Sequence, residues 1–260
     1  MLRTPADWQL PSGVSRATWD YVHSAEVAQG YDERLSGSSL FTADLEFARK
    51  LFTVPGRLID LGCGTGRLLL DFAGRGFSVL GVDLSEEMLR TATAKAIQAG
   101  VHAELLKANI VELDALADET FEYASCLFST LGMIHGTVQR RQMIGHVSRL
   151  LRPGGLFLLH VHNRWFHAWD KEGRKWLAGD LIRSLAARQS AGDRPMPAHQ
   201  GLAGLTLHHF TRREAAHLLT KSGFRVTKIH PLSLRPEARL PFPHWFGGLR
   251  AYGYLLVARK

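Results

Sequence analysis

In Leu58-Ile-Asp-Leu-Gly-Cys-Gly-Thr-Gly-Arg67 an apolar run opens into three alternating glycines, Gly62, Gly64 and Gly66. Glycines so spaced accept positive φ and let the backbone approach a ligand with no Cβ in the way. A strand-to-helix turn of this kind, at the carboxyl edge of a parallel sheet, is where ligands bind. The dinucleotide pattern G-x-G-x-x-G needs a glycine at 67, where Arg67 stands, and this disfavours a dehydrogenase. The pattern G-x-x-x-x-G-K-[ST] is absent, so nucleoside triphosphate hydrolysis loses its main support. Gly81-Val-Asp83-Leu84-Ser puts a carboxylate 17 residues beyond Gly66, where an acid accepts hydrogen bonds from the hydroxyls of a ribose. A ligand with an adenosine-like ribose is expected. Taken singly, Asp60 and Asp83 could be helix caps and the glycines tight-turn residues.

Histidines supply the candidates for proton transfer. His160-Val-His162 ends an apolar run, and a strand's period of two puts both rings on one face. His135 follows the preceding apolar run. All three belong to the end of the sheet where ligands bind, as candidate general bases. The spacing of His160 and His162 permits a metal, but no third or fourth ligand is evident and none is expected. For each histidine the alternative is a bond to nearby backbone or water, and His208-His209, just before a capping box, read as structural. Tyr31, in Gln29-Gly-Tyr-Asp-Glu33, either contacts the ligand or packs a helix.

The elements that must position these residues follow from periodicity. From 57 to 162, short apolar runs alternate with helix-period segments, the pattern of βα units on a parallel sheet. Strands are predicted at Arg57–Leu61, Phe77–Val82, His102–Leu106, Tyr123–Phe128 and Leu156–Val161. Helices are predicted after Gly64, from Ser85 as N-cap with Glu86 and Glu87 behind it, and from Val138 to Leu151, stopped by Arg152-Pro-Gly-Gly155. Residues 1–52 read as an N-terminal helical cap, 53–162 as the ligand-binding core, 163–207 as an insertion or lid, and 208–260 as a C-terminal helix and two strands, all within one domain. Thr211-Arg-Arg-Glu214 opens that helix, and Phe224–Ile229 with Tyr252–Ala258 make an edge hairpin. Inside 163–207, Trp176–Ala187 is amphipathic and 191–204 is rich in Gly and Pro. Arg164, Trp165, Trp169, Lys171, Arg174, Lys175 and Trp176 could stack bases and meet phosphates. The lid is favoured, because tryptophans at this spacing more often pack on a core.

Composition bounds the rest. The 260 residues are 45% hydrophobic and 22% charged with 2 Cys, an ordinary globular make-up that excludes disordered and disulfide-built classes. Cys63 and Cys126 form no C-x-x-C pair, which fits a reducing compartment, the cytoplasm. No signal peptide or run of about 18 apolar residues is present, so no membrane partner is expected. Net charge is +8, but residues 163–260 carry 17 Lys/Arg against 6 Asp/Glu. Such a field suits an anionic substrate or nucleic acid, or serves solubility alone.

Asp60-x-Gly-x-Gly-x-Gly66, Asp83, Asn109 and Arg152-Pro-Gly-Gly155 together resemble the class I S-adenosylmethionine-dependent methyltransferases over about 55–162, with 211–258 matching more loosely. The resemblance implies an α/β, Rossmann-like, doubly wound, seven-stranded and mostly parallel sheet with an antiparallel edge hairpin. It implies S-adenosylmethionine as cofactor, with Gly62, Gly64, Gly66 and Cys63 against its methionine part and Asp60 orienting the loop or meeting the ammonium. Asp83 would hold the ribose, Leu84, Met88 and Ile110 would pack near the adenine, and Asn109 would meet the adenine edge. Family members commonly carry Asp where Asn109 stands. Tyr31 would cover the cofactor, and Phe128, Ser129 and Leu131 would line the methyl-donor pocket. The Asn/Asp-Pro-Pro-aromatic motif of many nucleic-acid amino-methyltransferases is absent, since Phe128-Ser-Thr-Leu-Gly-Met-Ile134 stands there. The expected acceptor is therefore a small molecule methylated at O or N, and the basic last third suits an anionic one. RNA drawn by the basic third, or a cofactor-binding regulator without turnover, are the alternatives, and oligomeric state stays open.

Overall fold

The computed structural model describes residues 5–187, 191–196, 204–235 and 238–260. Helices α1 (Arg16–Val22), α2 (Ala25–Gln29), α3 (Tyr31–Ser36) and α4 (Ser39–Leu51) precede the sheet. Then β1 (Arg57–Leu61), α5 (Arg67–Ala73), β2 (Ser78–Asp83), α6 (Glu86–Ala99), β3 (Glu104–Lys107), β4 (Phe121–Cys126), α7 (Thr130–Met133), α8 (Thr137–Leu150) and β5 (Leu151–His162) build its parallel part. A 3-10 helix (Arg164–Trp169), α9 (Lys171–Ala187), and the ribbon of β6 (Asp193–Pro195) and β7 (Thr206–His208) follow. The chain closes with α10 (Arg212–Lys221), β8 (Arg225–Leu232), α11 (Gly247–Arg250) and β9 (Gly253–Arg259).

The main sheet has seven strands in the order β3-β2-β1-β4-β5-β9-β8. β1 to β5 run parallel and β9 is antiparallel to both neighbours. This is the doubly wound sheet expected, with the last two strands as an antiparallel edge hairpin. The strand order reverses between β1 and β4, so the crevice at their carboxyl ends is the place for a ligand.

Strand periodicity divides the core into two layers. Leu58 packs with Leu69, Phe72 and Leu158 on one face, where α4 and α5 lie. Ile59 and Leu61 pack with Met143, Val147, Phe157 and Leu219 on the other, under α8 and α10. Ser85 caps α6, accepting from the Met88 N–H at 3.4 Å, and Gly100 at φ +64° ends it. The Thr211 and Glu214 capping box opens α10 as predicted.

Two expectations need correction. Arg152-Pro-Gly-Gly155 does follow a helix end, but it belongs to β5, as extra residues where the register slips between Phe121↔Leu151 and Tyr123↔Leu156. The backbone there is anchored by the last residue, with Gly154 N–H donating to Lys260 O and Lys260 N–H to Gly155 O, both at 3.0 Å. The second concerns 163–207, where a helix occupies 171–187. The buried Arg164–Asp180 ion pair, 2.5 Å, ties that helix to the 3-10 turn. Of the tryptophans expected to pack inward, Trp176 is half-buried, while Trp165 and Trp169 are 41% and 61% exposed. Part of the Gly/Pro-rich segment, residues 197–203, lies outside the described residues, as do 188–190.

Candidate active site

The glycine loop leaves β1 at Leu61 and turns through Gly62, Gly64 and Gly66 at φ +73°, +54° and +81°. A Cβ at Gly62 would collide with Thr130, so the loop takes this path only with glycine there. Gly81, which the sequence reading used only as a neighbour of Asp83, is constrained in the same way, because a Cβ would strike Leu69, Cys63 and Leu105. The loop is pinned from β2. Asp83 Oδ2 accepts from the Gly64 N–H and Oδ1 from the Ser85 N–H, each at 2.8 Å. Burial pushes the Asp83 carboxyl up despite these donors.

Two cavities meet across this loop. The first, about 120 Å3, is lined by Gly62, Gly64, Asp83, Leu84, Met88, Asn109 and Ile110, and α1 closes it with Thr18 and Tyr21. The second, about 340 Å3, is lined by Asp60, Cys63, Arg67, Phe41, Phe128, His162 and Tyr252, with Met196, Leu205 and Leu207 from beside the β6–β7 ribbon. Tyr21, Tyr31, Gly62, Gly64, Thr130 and Met133 line both. The structure thus brings Asp60, Gly62, Cys63, Gly64, Asp83, Leu84, Met88, Asn109, Ile110, Phe128 and Tyr31 to one crevice at the switch point.

Gly66 is not among the lining residues, and a Cβ there would come within 3.0 Å of Ala92. Its absent side chain serves the packing of the loop on α6. Asn109 lines the first cavity, but its Nδ2 donates to Ser12 O at 2.9 Å and its Oδ1 accepts from Val111 N–H at 3.2 Å. Leu131 is wholly buried in the core and Ser129 is buried, so Phe128 with Thr130 and Met133 form the wall expected of 128, 129 and 131.

Asp60 is buried, and its Oδ1 accepts from Ser125 Oγ at 2.7 Å across neighbouring strands. Burial raises its carboxyl to about 6 in spite of that bond and of Arg67. Arg67 crosses the face of Phe41, 3.8 Å from ring centroid to guanidinium carbon, and donates to Phe41 O. Arg67 was noticed in the sequence only as a departure from a dinucleotide motif.

The histidines separate. His162 lines the second cavity, and its buried Nε2 has no hydrogen-bond partner among the described residues. Burial holds it well below the usual imidazole range, with His160, His209 and His167 adding to the effect, so it is neutral. His160 is fully buried and lines neither cavity. Its Nδ1 meets Asp44 Oδ2 at 2.8 Å, and the same oxygen accepts from the Phe128 N–H at 3.2 Å. It therefore holds the wall rather than meeting a ligand. His135 is exposed on a different cavity, beside Ser15, Arg16 and Asp193, and is not brought to the site. Sequence reasoning missed Asp44, Tyr21, Tyr252 and Met133, because each comes from an element whose place against the sheet no local motif specifies. Among the described residues no group of three or more His, Cys, Asp or Glu could hold a metal ion.

Residues 58–155 match the family model described as a methyltransferase domain. A protein of Geobacillus sp. (strain WCH70) named as a methyltransferase is 37% identical over 109 residues, 42% of this chain and 43% of that protein. The ubiquinone biosynthesis O-methyltransferase of Hahella chejuensis (strain KCTC 2396) is 29% identical over 121 residues, 46% of this chain and 49% of that one. The chain spans under half the length of these relatives. Among solved structures, the 1,6-didemethyltoxoflavin-N1-methyltransferase of Burkholderia thailandensis, with bound 1,6-didemethyltoxoflavin and S-adenosylhomocysteine, superposes with a TM-score of 0.64 at 19% identity. That fold match covers 99% of this chain and 94% of that one.

Proposed function

We propose that this chain, whose residues 58–155 belong to the methyltransferase domain family and whose fold is that of the class I S-adenosylmethionine-dependent enzymes, methylates an oxygen or nitrogen of a small molecule. The observation that carries the proposal is the pair of cavities joined across Gly62 and Gly64, one lined by Asp83 and the other by His162, whose buried Nε2 has no hydrogen-bond partner among the described residues. The residues fit the cofactor. The glycines leave a cradle that a Cβ would fill, and Asp83 retains acceptor lone pairs toward the first cavity for the ribose hydroxyls. Leu84, Met88 and Ile110 give the adenine an apolar slot. Asp60 and Cys63 in the second cavity, with Tyr31 at the junction, face the place of the methionine part. S-adenosylmethionine, when bound, supplies a methyl already activated on a sulfonium.

The protein's part is then alignment and exclusion of water. Phe41, Phe128 and Tyr252 wall the second cavity. His162, kept neutral by burial, accepts a hydrogen bond at Nε2 from a hydroxyl or neutral amine nucleophile and takes the proton released as the new bond to carbon forms. Asp44 and His160 act through Phe128, by fixing its backbone. A small-molecule acceptor is supported by the apolar lining that Met196, Leu205 and Leu207 give the second cavity, and a cytoplasmic compartment by the free cysteines Cys63 and Cys126.

Calorimetric titration with S-adenosylmethionine, S-adenosylhomocysteine and NAD tests the cofactor. The expected result is binding of the first two and none of NAD, whereas binding of NAD alone overturns the reading. A panel of phenols and amines with S-adenosylhomocysteine release as readout then tests turnover. Tight cofactor binding with no release across the panel would favour the regulator.

A further inference from the structure

Away from the two cavities, the 3-10 helix Arg164–Trp169 and the segment 241–250 form a face whose apolar side chains point outward. Phe242, Trp245 and Phe246 are 78%, 76% and 73% exposed, and Trp169, Leu234 and Leu249 flank them, also exposed. The face is one continuous structure. Trp169 Nε1 donates to Leu249 O at 2.7 Å, and Arg250 donates to Phe242 O at 3.3 Å and to Trp245 O at 3.0 Å. A groove lined by Phe166, Trp169, Leu234, Arg235, Leu240 and Arg250 runs through it. An outward cluster of this size marks an interaction surface.

Its charge states what kind. Arg235 and Arg239 are exposed beside the aromatics, and among the described residues neither they nor Arg250 form an ion pair with an acid. From 225 to 260 the sequence holds seven Lys/Arg and one acid, Glu237. A two-fold contact would lay this patch on its own copy and oppose arginine to arginine. The partner is anionic. It is also apolar, because phenylalanine and leucine at the protruding edge gain nothing from a nucleic-acid backbone, whereas tryptophan and phenylalanine flanked by arginine suit the boundary between headgroups and acyl chains.

We propose that this face docks on the surface of an anionic phospholipid bilayer, with Phe242, Trp245 and Phe246 entering the headgroup boundary and Arg235 and Arg239 meeting lipid phosphates. Adsorption needs no spanning segment. Among the described residues no helix is long and apolar enough to cross a membrane, which concerns spanning and leaves adsorption to a surface untouched. The face backs onto the second cavity, since Phe166 in the groove and Tyr252 in the cavity wall pack with ring centroids 5.1 Å apart.

The test is co-sedimentation of the full chain with vesicles of phosphatidylcholine, alone or with about one-third phosphatidylglycerol. The wild type sediments with the anionic vesicles and is released by salt. The double variant Trp245→Ser/Phe246→Ser loses at least about tenfold in partition, and Arg235→Glu/Arg239→Glu loses the preference for phosphatidylglycerol. Circular dichroism checks that both variants are folded, since none of these side chains lines the crevice. No sedimentation at low salt, or sedimentation that survives the Trp245→Ser/Phe246→Ser change, overturns the proposal. So does a dimer by light scattering that this double variant dissolves, because a second copy would then be the occupant.

Discussion

The stretch 57–110 and the stretch 163–250 solve opposite problems. In the first, Ile97 is the one exposed large hydrophobic, and the buried carboxylates Asp60 and Asp83 both have hydrogen-bond donors. In the second, Trp165, Trp169, Leu181, Ile182, Leu185, Phe242, Trp245 and Phe246 all face outward. Folding alone accounts for the first arrangement, since each apolar side chain gains by being inside. It does not account for the second, where exposed aromatics contribute nothing to the core. The difference teaches that sequence in 57–110 is dictated by the sheet and one ligand, while in 163–250 residues such as Phe210, Leu219 and Phe224 serve the core and the outward aromatics answer to what approaches from outside.

The sharpest break of that comparison is at Asp83. Asp83→Ala removes the ribose acceptor and leaves the Gly64 and Ser85 N–H groups unpaired, each loss worth about 1–3 kcal/mol. Affinity for S-adenosylmethionine should fall at least about 100-fold by calorimetry, with the far-ultraviolet circular dichroism retained. Phe242→Ser, from the other region, should leave that affinity unchanged. A comparable loss in both would erase the division between the regions.

Next in size is His162. His162→Ala should lower kcat for a hydroxyl acceptor by about 10²-fold or more, the usual contribution of a positioned base, with cofactor affinity unaltered. His162→Gln keeps a side chain that can accept a hydrogen bond and should recover part of KM but not kcat. A rise in KM with kcat unchanged would make the ring a wall of the cavity and no more.

How much of this was legible in the sequence follows the same division. The strands and the glycine loop announce themselves because apolar runs of strand length alternate with helix-period segments, and because Gly62 and Asp83 occupy positions defined by local geometry. The order of the sheet and the crevice follow from those units. The Asp44–His160 contact joins residues 116 apart in the chain, and no local pattern encodes which helix will lie over β5. His135 was misplaced for the related reason that α7 turns the chain away after β4. Tryptophans at helical spacing look alike whether they face in or out, so Trp165 and Trp169 could not be read as exposed.

Acid should distinguish the regions by way of the histidine cluster behind the second cavity. Burial lowers His162 well below the ordinary value, His167 to about 4 and His209 to about 3. Each stays neutral in the fold while the unfolded chain takes up a proton near 6.5. Stability from these groups is therefore complete above about 6.5 and is lost as pH falls toward about 4, by up to about 1.4 kcal/mol per pH unit for each. Three groups act in the other sense. Burial pulls His208 down, but Asp193 and Glu214 outweigh it and leave it raised, and burial raises Asp60 to about 6 and pushes Asp83 up as well, so all three favour the fold at lower pH. His230, also lowered by burial, adds to the cluster, and the midpoint of urea unfolding should drop between pH 7 and 5. Replacing His209 by Gln should flatten the dependence, and an unchanged slope would mean that the cluster is hydrated.

The smallest effect lies at the seam between the regions. Thr211 Oγ1 accepts from the Glu214 N–H at 3.1 Å, and Glu214 returns Oε2 to the Thr211 N–H at 3.3 Å while its Oε1 meets His208 Nε2 at 2.8 Å. Thr211→Ala removes one cap bond and should cost about 1 kcal/mol, visible as a shift in urea midpoint with an unchanged slope and unchanged cofactor affinity. Glu214→Ala also releases His208, which joins β7 to α10, and should cost more than Thr211→Ala. Equal costs would mean that the His208 contact adds nothing to the cap, and that the ribbon beside the second cavity is held by its own pairing rather than by the C-terminal helix.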